Sequence, residues 1–253
     1  SNLLASIFMK KLPPGSVQGF VIEEPTAGGH NAPPRTRIPD TKGGVRLVYG
    51  QKDVVDYGDI AKLGLPFWIG GSYASPAKLA EARSVGAVGI QAGSIFALSE
   101  ESGMEPDLRR RARAHGFHDV LGIRTDMRIS PTGFPFKVGL LDQTIADAYA
   151  YESRTRTCNQ GALATLYDKP DGSIGYRCPA EPLVDFIRKG GTAEDAEGRC
   201  CLCNGLIATT GLGDPGEMPL LTLGDDISFL PLLMKDAASS YSAVDALKYL
   251  RGS

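Results

Sequence analysis

The sequence has no marked excess of charge of either sign and no long hydrophobic run. Its 253 residues include 27 Lys and Arg against 29 Asp and Glu, which gives a formal net charge of -2. This balance offers no electrostatic basis for binding nucleic acid or an anionic membrane. The longest apolar run, residues 229–234, is far shorter than a bilayer span, and the chain does not open with the charged and then apolar segments of a secretion signal. We therefore expect a cytoplasmic protein with neither a nucleic-acid nor a membrane partner.

Cysteine is scarce, and its pattern does not match the common frameworks. The count of five is odd, so the cysteines cannot all pair within one chain. A chain without a secretion signal is expected to keep its thiols reduced. Three of the cysteines form C-C-x-C, which differs from the paired C-x-x-C knuckles of a structural zinc site. We predict reduced thiols and no metal, with a metal or cluster site as the alternative. The positions are Cys158, Cys178, Cys200, Cys201 and Cys203.

The first part of the chain alternates between strand and helix patterns. Short apolar runs at 17–23, 66–69 and 87–91 predict strands, and the segments 53–63 and 77–84 predict helices. Strands that alternate with helices indicate a parallel sheet or barrel. In such folds, the loops at the carboxyl ends of the strands build the site.

The rest of the chain has a different composition. Residues 26–50 are predicted to form a long, proline-rich loop. From about residue 115 onward, glycine, proline and turn residues predict irregular structure, apart from a final helix over 241–250. We therefore expect two domains, 1–114 and 115–253.

All three predicted strands end in glycines, and a histidine follows one of these ends. Glycine lets the backbone come close to a flat or anionic ligand. His30 comes directly after the first glycine pair, where an imidazole can act as a base near neutral pH. The other two ends have backbone N–H groups and a serine hydroxyl, which predict a phosphate site. The residues are Gly28 and Gly29, then Gly70 and Gly71, then Gln91, Ala92, Gly93 and Ser94.

Three motifs in this region resemble those of the nitronate monooxygenases, formerly called 2-nitropropane dioxygenases, which are FMN-dependent TIM-barrel flavoproteins. The motifs are EEPTAGGH at 23–30, WIGGS at 68–72 and QAGS at 91–94. The family has a strand end running into A-G-G-H, then A-G-G-I before a helix, then Q-M-G-T. Three later phrases also resemble family members: RISPTGFPFKV at 128–138, IGYRCPAEP at 174–182 and CLCNGLIATTGL at 201–212.

The resemblance implies a role for each matching residue. His30 would be the catalytic base that takes a proton from the carbon next to a nitro group. Glu23 stands where the family usually has a flavin-contacting Gln, and Gly28 and Gly29 would lie against the flavin. The FMN phosphate would be held by Gly71, or by Gly70 in its place, together with the residues of the next loop: Gln91, Ala92, Gly93 and Ser94.

The same resemblance implies an incomplete barrel. An eight-stranded barrel takes about 250 residues, whereas the three predicted strands correspond to the last three of the family's barrel, and sixteen residues precede the first of them. We expect an α/β fold consisting of the last part of a TIM (β/α)8 barrel and an irregular C-terminal extension. A preceding segment or a second chain would complete the barrel, and the substrate would be a small molecule.

Three functions are compatible with these residues. The favoured one is oxidation of nitronates or nitroalkanes with O2 by an FMN-dependent monooxygenase. The alternative enzyme is an FMN-dependent enoyl thioester (enoyl-ACP) reductase, which shares the A-G-G-H and Q-x-G-T motifs, so His30 does not discriminate between the two. A non-catalytic fragment that acts as a binding module is the third possibility, and the missing strands favour it.

Overall fold

The computed structural model describes residues 1–39 and 45–252. The strands in these ranges are β1 (Phe20–Glu23), β2 (Thr36–Pro39), β3 (Val45–Val48), β4 (Phe67–Gly70), β5 (Gly89–Gln91), β6 (Gly122–Asp126), β7 (Phe136–Leu140), β8 (Thr165–Asp168) and β9 (Ile174–Arg177). The helices are α1 (Asn2–Lys11), α2 (Tyr57–Ala61), α3 (Pro76–Ser84), α4 (Ser94–Ala97), α5 (Pro106–Phe117), α6 (Ala148–Ser153), α7 (Leu183–Arg188), α8 (Ala193–Ala196), α9 (Leu202–Thr209), α10 (Leu230–Leu233) and α11 (Ala243–Arg251).

The fold is mixed α/β and divides into two compact units. Unit 1 contains Ser1–Ser102 and Gly224–Ser253, and unit 2 contains Gly103–Leu223. The predicted division into 1–114 and 115–253 differs from this one, because α5 belongs to unit 2 and the C-terminal segment returns to unit 1. Within the described ranges, no helix has the length and apolar character needed to cross a membrane.

Unit 1 is built on a parallel sheet with the strand order β1-β4-β5. Central strand β4 buries Phe67 and Ile69 completely, as expected for a strand covered on both faces. The three predicted strands are confirmed as parallel neighbours, each one to three residues shorter at its start than the apolar runs indicated. The expected partial barrel is not confirmed, because the sheet formed by the described residues does not close.

Helix α3 begins where the sequence predicts. The Ser75 hydroxyl accepts a hydrogen bond from the Lys78 N–H at 3.2 Å, and Pro76 occupies the first helical position. Gly86, with φ of +91°, follows the end of the helix. The final helix is confirmed as α11, where Ser242 and Asp245 form a reciprocal cap at its start.

The predicted helix over 53–63 is shorter than expected. Only its first residue, Asp53, belongs to a 3₁₀ turn, which covers Gln51–Asp53, and α2 begins only at Tyr57 and ends at Ala61. Asp53 directs its carboxylate back to the N–H of Gly50 at 2.9 Å, while Asp56 caps α2 through the N–H of Asp59. These two side chains hydrogen-bond to nearby backbone and so divide the segment.

The predicted loop over 26–50 contains a hairpin that the sequence reading missed. Strands β2 and β3 pair antiparallel, with Thr36 opposite Val48 and Pro39 opposite Val45. Each strand has only four residues, too few for their alternation to be distinguished from loop. The residues between them lie outside the described ranges.

Unit 2 is more regular than the prediction of irregular structure from residue 115 onward. It contains two antiparallel hairpins, β6-β7 and β8-β9. Strand β7 is buried over its first four residues and packs into the main core of the unit. That core consists of Ile129, Phe136, Val138, Ile145, Tyr151, Cys200, Leu202 and Leu220.

Candidate active site

The carboxyl ends of the three parallel strands bring three predicted residues side by side. Glu23 is opposite Gly70, and Gly70 is opposite Gln91. Side chains at aligned positions of neighbouring strands share one face of the sheet. Because Gly70 has no side chain between them, the Gln91 Nε2 reaches across and donates to the Glu23 Oε1 at 3.0 Å. A Cβ at Gly70 would lie 3.3 Å from the Cβ of Gln91, so this bridge depends on the glycine.

The loop after β1 carries the predicted base. A turn closes from the Glu24 carbonyl to the Ala27 N–H at 2.9 Å, and Gly29 has a φ of +78°, which glycine adopts without strain. His30 then projects from the loop with a largely exposed side chain. Partial burial lowers the pKa of His30 below its ordinary value of 6.5. The imidazole is therefore neutral at neutral pH, which is the form a general base needs.

Gly71 is held in place by close packing. Its φ is +95°, and an added Cβ would lie 2.9 Å from the Thr26 Oγ1 and 3.0 Å from the Ala27 nitrogen. The loop after β4 therefore packs directly against the loop after β1, and the space beside Gly71 is filled by protein. The next residue, Ser72, also has a positive φ of 55°, a strained conformation for a residue other than glycine that the sequence reading missed.

The loop after β5 has an open side. Gly93 precedes α4, and among the described residues no atom lies within 4 Å of where its Cβ would be. Ala92 is half-buried, and the Ser94 hydroxyl accepts a hydrogen bond from the Gly224 N–H at 2.8 Å. That hydroxyl keeps its own proton available for donation.

The sequence reading also missed the segment that joins these loops. Gly224 bonds to Ser94, which is 130 positions away along the chain. The next N–H, from Asp225, donates to the Thr26 carbonyl at 3.0 Å. A Cβ at Gly224 would lie 2.9 Å from that same carbonyl, which explains the glycine. No local pattern marks such a contact, because it depends on a segment distant in sequence.

A cavity of about 500 Å³ lies beside the His30 loop. It is the right size for a small ligand. Asn31, which is 6% exposed, lines it and donates from Nδ2 to the Ala27 carbonyl at 3.1 Å. The Asn31 Oδ1 is buried without a hydrogen-bond partner among the described residues. A ligand with an N–H or O–H group would satisfy this acceptor. The cavity is lined by Ser1, Leu4, Val21, Glu23, Glu24, Pro25, Asn31, Ala32, Pro33, Arg35, Tyr49, Asp53 and Val55.

The charged groups of the cavity wall are mainly acidic. Three carboxylates face one guanidinium, that of Arg35, and the Arg35 Nε already pairs with the Asp53 Oδ1 at 3.1 Å. Burial, Asp53 and Asp225 together raise the pKa of Tyr49 to about 12, so the phenol stays protonated. It donates to the Ala32 carbonyl at 2.9 Å. These charges favour a neutral ligand over an anion.

The described part of the chain contains no group of three or more His, Cys, Asp or Glu side chains arranged to hold a metal ion. The absence of a resident metal stays a prediction.

Comparison with known proteins shows a fold but not a family. No family model matches the chain, and no curated protein matches its sequence. The structure of FabK from Thermotoga maritima matches with a TM-score of 0.51 and 16% identity, covering 100% of this chain and 59% of that one. The structure of the FabK M276A mutant from the same organism matches with a TM-score of 0.49 and 14% identity, covering 99% of this chain and 54% of that one.

The likeness to FabK extends over the whole chain, but it covers only part of FabK. The chain spans little more than half the length of these FabK chains. At this identity the likeness concerns the fold.

Proposed function

We propose that the chain is the C-terminal part of an FMN-dependent oxidoreductase whose site lies at the carboxyl ends of β1, β4 and β5. The observation that carries the proposal is the alignment of Glu23, Gly70 and Gln91 at one end of a parallel sheet, with His30 on the adjoining loop. Ligands in α/β folds bind at this end of the strands. The fold likeness to FabK extends over the whole chain and is compatible with a site at this end of the strands.

The residues present fit FMN on the Gly93 side of the site. No neighbouring group fills the position that a Cβ of Gly93 would occupy, which leaves room for a phosphate. The Ser94 hydroxyl, which accepts from the Gly224 N–H, could donate its own proton to a phosphate oxygen. The space beside Gly71 is filled by the loop after β1, so we assign Gly71 to shaping the loop and the phosphate to Gly93 and Ser94. Gln91 and Glu23 would meet the polar edge of the flavin, and Gly28 and Gly29 leave room beside it. FMN, when bound, supplies the redox chemistry that side chains lack.

The chain's own residues would handle the substrate and its proton. The substrate would enter the cavity beside Asn31. His30, neutral at working pH, would take a proton from the carbon next to a nitro group. The acidic cavity wall would favour entry of the neutral nitroalkane, for which a base is needed. We therefore place nitronate and nitroalkane oxidation with O2 first.

A second candidate reaction is reduction of an enoyl thioester. The A-G-G-H and Q-x-G-T motifs are shared with FMN-dependent enoyl thioester reductases, so they are equally compatible with this reaction. In both cases, a preceding segment or a second chain would complete the barrel at the open edge of β1, where Val21 is 50% exposed. A non-catalytic binding module is the remaining possibility.

One experiment separates the three functions. The chain, combined with the segment or partner that completes the barrel, is loaded with FMN and mixed anaerobically with NADH or NADPH. Rapid bleaching of the flavin absorbance would favour the reductase. Slow bleaching, together with O2 uptake on adding a nitronate, would favour the monooxygenase. A protein that stays colourless after incubation with FMN would contradict both enzyme proposals.

A further inference from the structure

Four of the five cysteines gather in one cluster of unit 2. Cys178 and Cys201 are buried together with Ala180, and Cys158 and Cys203 pack half-buried against them. They come from three separate segments, namely the loop after α6, the residue after β9 and the start of α9. Cys200 packs in the main core of the unit instead. This cluster has no part in the flavin proposal.

Within the cluster, Cys158 and Cys178 are direct partners. Cys158 packs against the buried group that contains Cys178, and each thiol shifts the pKa of the other. Cys178 is only 5% exposed. Its backbone is held by Glu181, because the Cys178 N–H donates to the Glu181 Oε1 at 3.3 Å. Cys158 is more accessible and lies in a segment without regular structure. Cys158 is therefore half-buried, whereas Cys178 is buried.

The surroundings favour a thiolate at Cys158. Interaction with Cys178 and with the Gly161 N–H lowers the pKa of Cys158 to about 6 from its ordinary value of 9.0. The charged groups that face it are Glu181 and Lys189, which form an ion pair at 2.6 Å and offset one another. The same interaction between the two thiols, with burial, raises the pKa of Cys178.

Cys201 and Cys203 are not arranged in this way. They are two positions apart at the start of a helix, and residues at that spacing do not face each other. Burial raises the pKa of Cys201, which keeps it protonated and unreactive.

We propose that Cys158 and Cys178 form a redox-active dithiol, with Cys158 as the thiolate that attacks a hydroperoxide and Cys178 as its resolving partner. The Cys158 sulfur attacks the terminal oxygen, the O–O bond breaks, and the products are a sulfenic acid and hydroxide, or an alkoxide from an organic peroxide. The Cys178 sulfur then attacks the sulfenic sulfur and releases water, and the S–S bond forms. Two thiols are oxidised and one peroxide is reduced.

The rate at which Cys158 is alkylated tests whether it is a thiolate, and the pH dependence of that rate is more informative than its value at one pH. At pH 7 a thiol with a pKa of about 6 is ~90% ionised, against ~1% at 9.0, but its lower basicity makes the thiolate roughly 15- to 30-fold less nucleophilic. The net gain in rate is only several-fold. The pH profile is more decisive, because the rate for Cys158 should level off above about pH 7 while an ordinary thiol gains speed through pH 9.

The test uses the whole reduced chain and hydrogen peroxide. Intact mass should fall by about 2 Da per chain, and peptide mapping should find the Cys158–Cys178 disulfide. Cys158→Ser should abolish this loss. The matched control Cys203→Ser, also half-buried in the cluster, should retain it. In Cys178→Ser, or in Cys178→Ala if the serine is not tolerated, Cys158 should instead gain two oxygens as the sulfinic acid.

Three results would overturn the proposal. One is loss of the same mass in Cys158→Ser, which would assign the disulfide to other cysteines. Another is an alkylation rate for Cys158 that rises through pH 9. The third is one zinc or iron per chain in the untreated protein, together with resistance of all four cluster thiols to alkylation. That result would make the cluster a metal site.

Discussion

Replacing His30 with asparagine tests the proposed base. The substitution keeps a polar group of similar size but removes the titratable nitrogen. A positioned general base contributes about 10² to 10⁴ in rate, or about 3 to 5 kcal/mol. We expect a loss of that size in kcat/KM for a neutral nitroalkane. The pre-ionised nitronate needs no proton removed, so kcat/KM for the nitronate should fall by less than about tenfold.

The pH dependence gives a second measure of the same residue. Because His30 must be neutral to accept a proton, kcat/KM for the nitroalkane should fall as the pH drops through the pKa of His30. Partial burial places that pKa below 6.5. The parent enzyme should therefore be flat above about pH 7, with an acidic limb below 6.5, and His30→Asn should lack this limb.

The assay is steady-state O2 uptake with both substrate forms, together with FMN content after gel filtration. His30 is largely exposed, so the substitution should change stability by less than about 0.5 kcal/mol and leave FMN content unchanged. Equal loss on both substrates would show that His30 positions the substrate or the flavin. Unchanged rates on both would place the base elsewhere.

Three further changes test the surrounding structure. Gly71→Ala should lower the free energy of unfolding by about 1 to 3 kcal/mol in urea denaturation, since its φ is +95° and the added Cβ meets the loop after β1; an unchanged midpoint would contradict that packing. Asn31→Ala should lower the free energy of unfolding by about 0.5 to 1.5 kcal/mol, because the loop after β1 loses the hydrogen bond from the Asn31 Nδ2 to the Ala27 carbonyl, and an unchanged midpoint would contradict that bond. In unit 2, Glu217→Ala should cost about 3 to 5 kcal/mol, because it leaves the Arg154 guanidinium, 2.9 Å from the Glu217 Oε1 and 8% exposed, without its buried partner; thermal unfolding at the parent temperature would argue against this.

The parallel core could be predicted from sequence because its signals are local. An apolar run followed by glycine marks each of the three strands, and Ser75 with Pro76 marks the start of α3. These features depend on residues within a few positions of one another. That these strand ends lie at one edge of the sheet followed from the same pattern, whereas the register that aligns Glu23, Gly70 and Gln91 is known only from the structure.

The missed features depend on contacts that are distant in sequence or on strands too short to show a period. The Gly224 segment is recognised only through its bonds to Ser94 and Thr26, which belong to other parts of the chain. The hairpin β2-β3 has four residues in each strand. The unpartnered acceptor of Asn31 appears only when its burial and its bond to Ala27 are known.

The most direct test of the flavin site is FMN affinity after Gly93→Asp, with Gly103→Asp as a matched control. Neither glycine has a positive φ, and no described atom lies within 4 Å of either Cβ position. Aspartate is also favoured before a helix, so Gly93→Asp should fold.

We expect FMN binding, followed by quenching of flavin fluorescence in the completed protein, to weaken at least about a hundredfold in Gly93→Asp because a carboxylate would stand where the phosphate binds. The Gly103→Asp control should bind as the parent does. Equal FMN affinity in the parent and both variants would contradict a phosphate site at the end of β5.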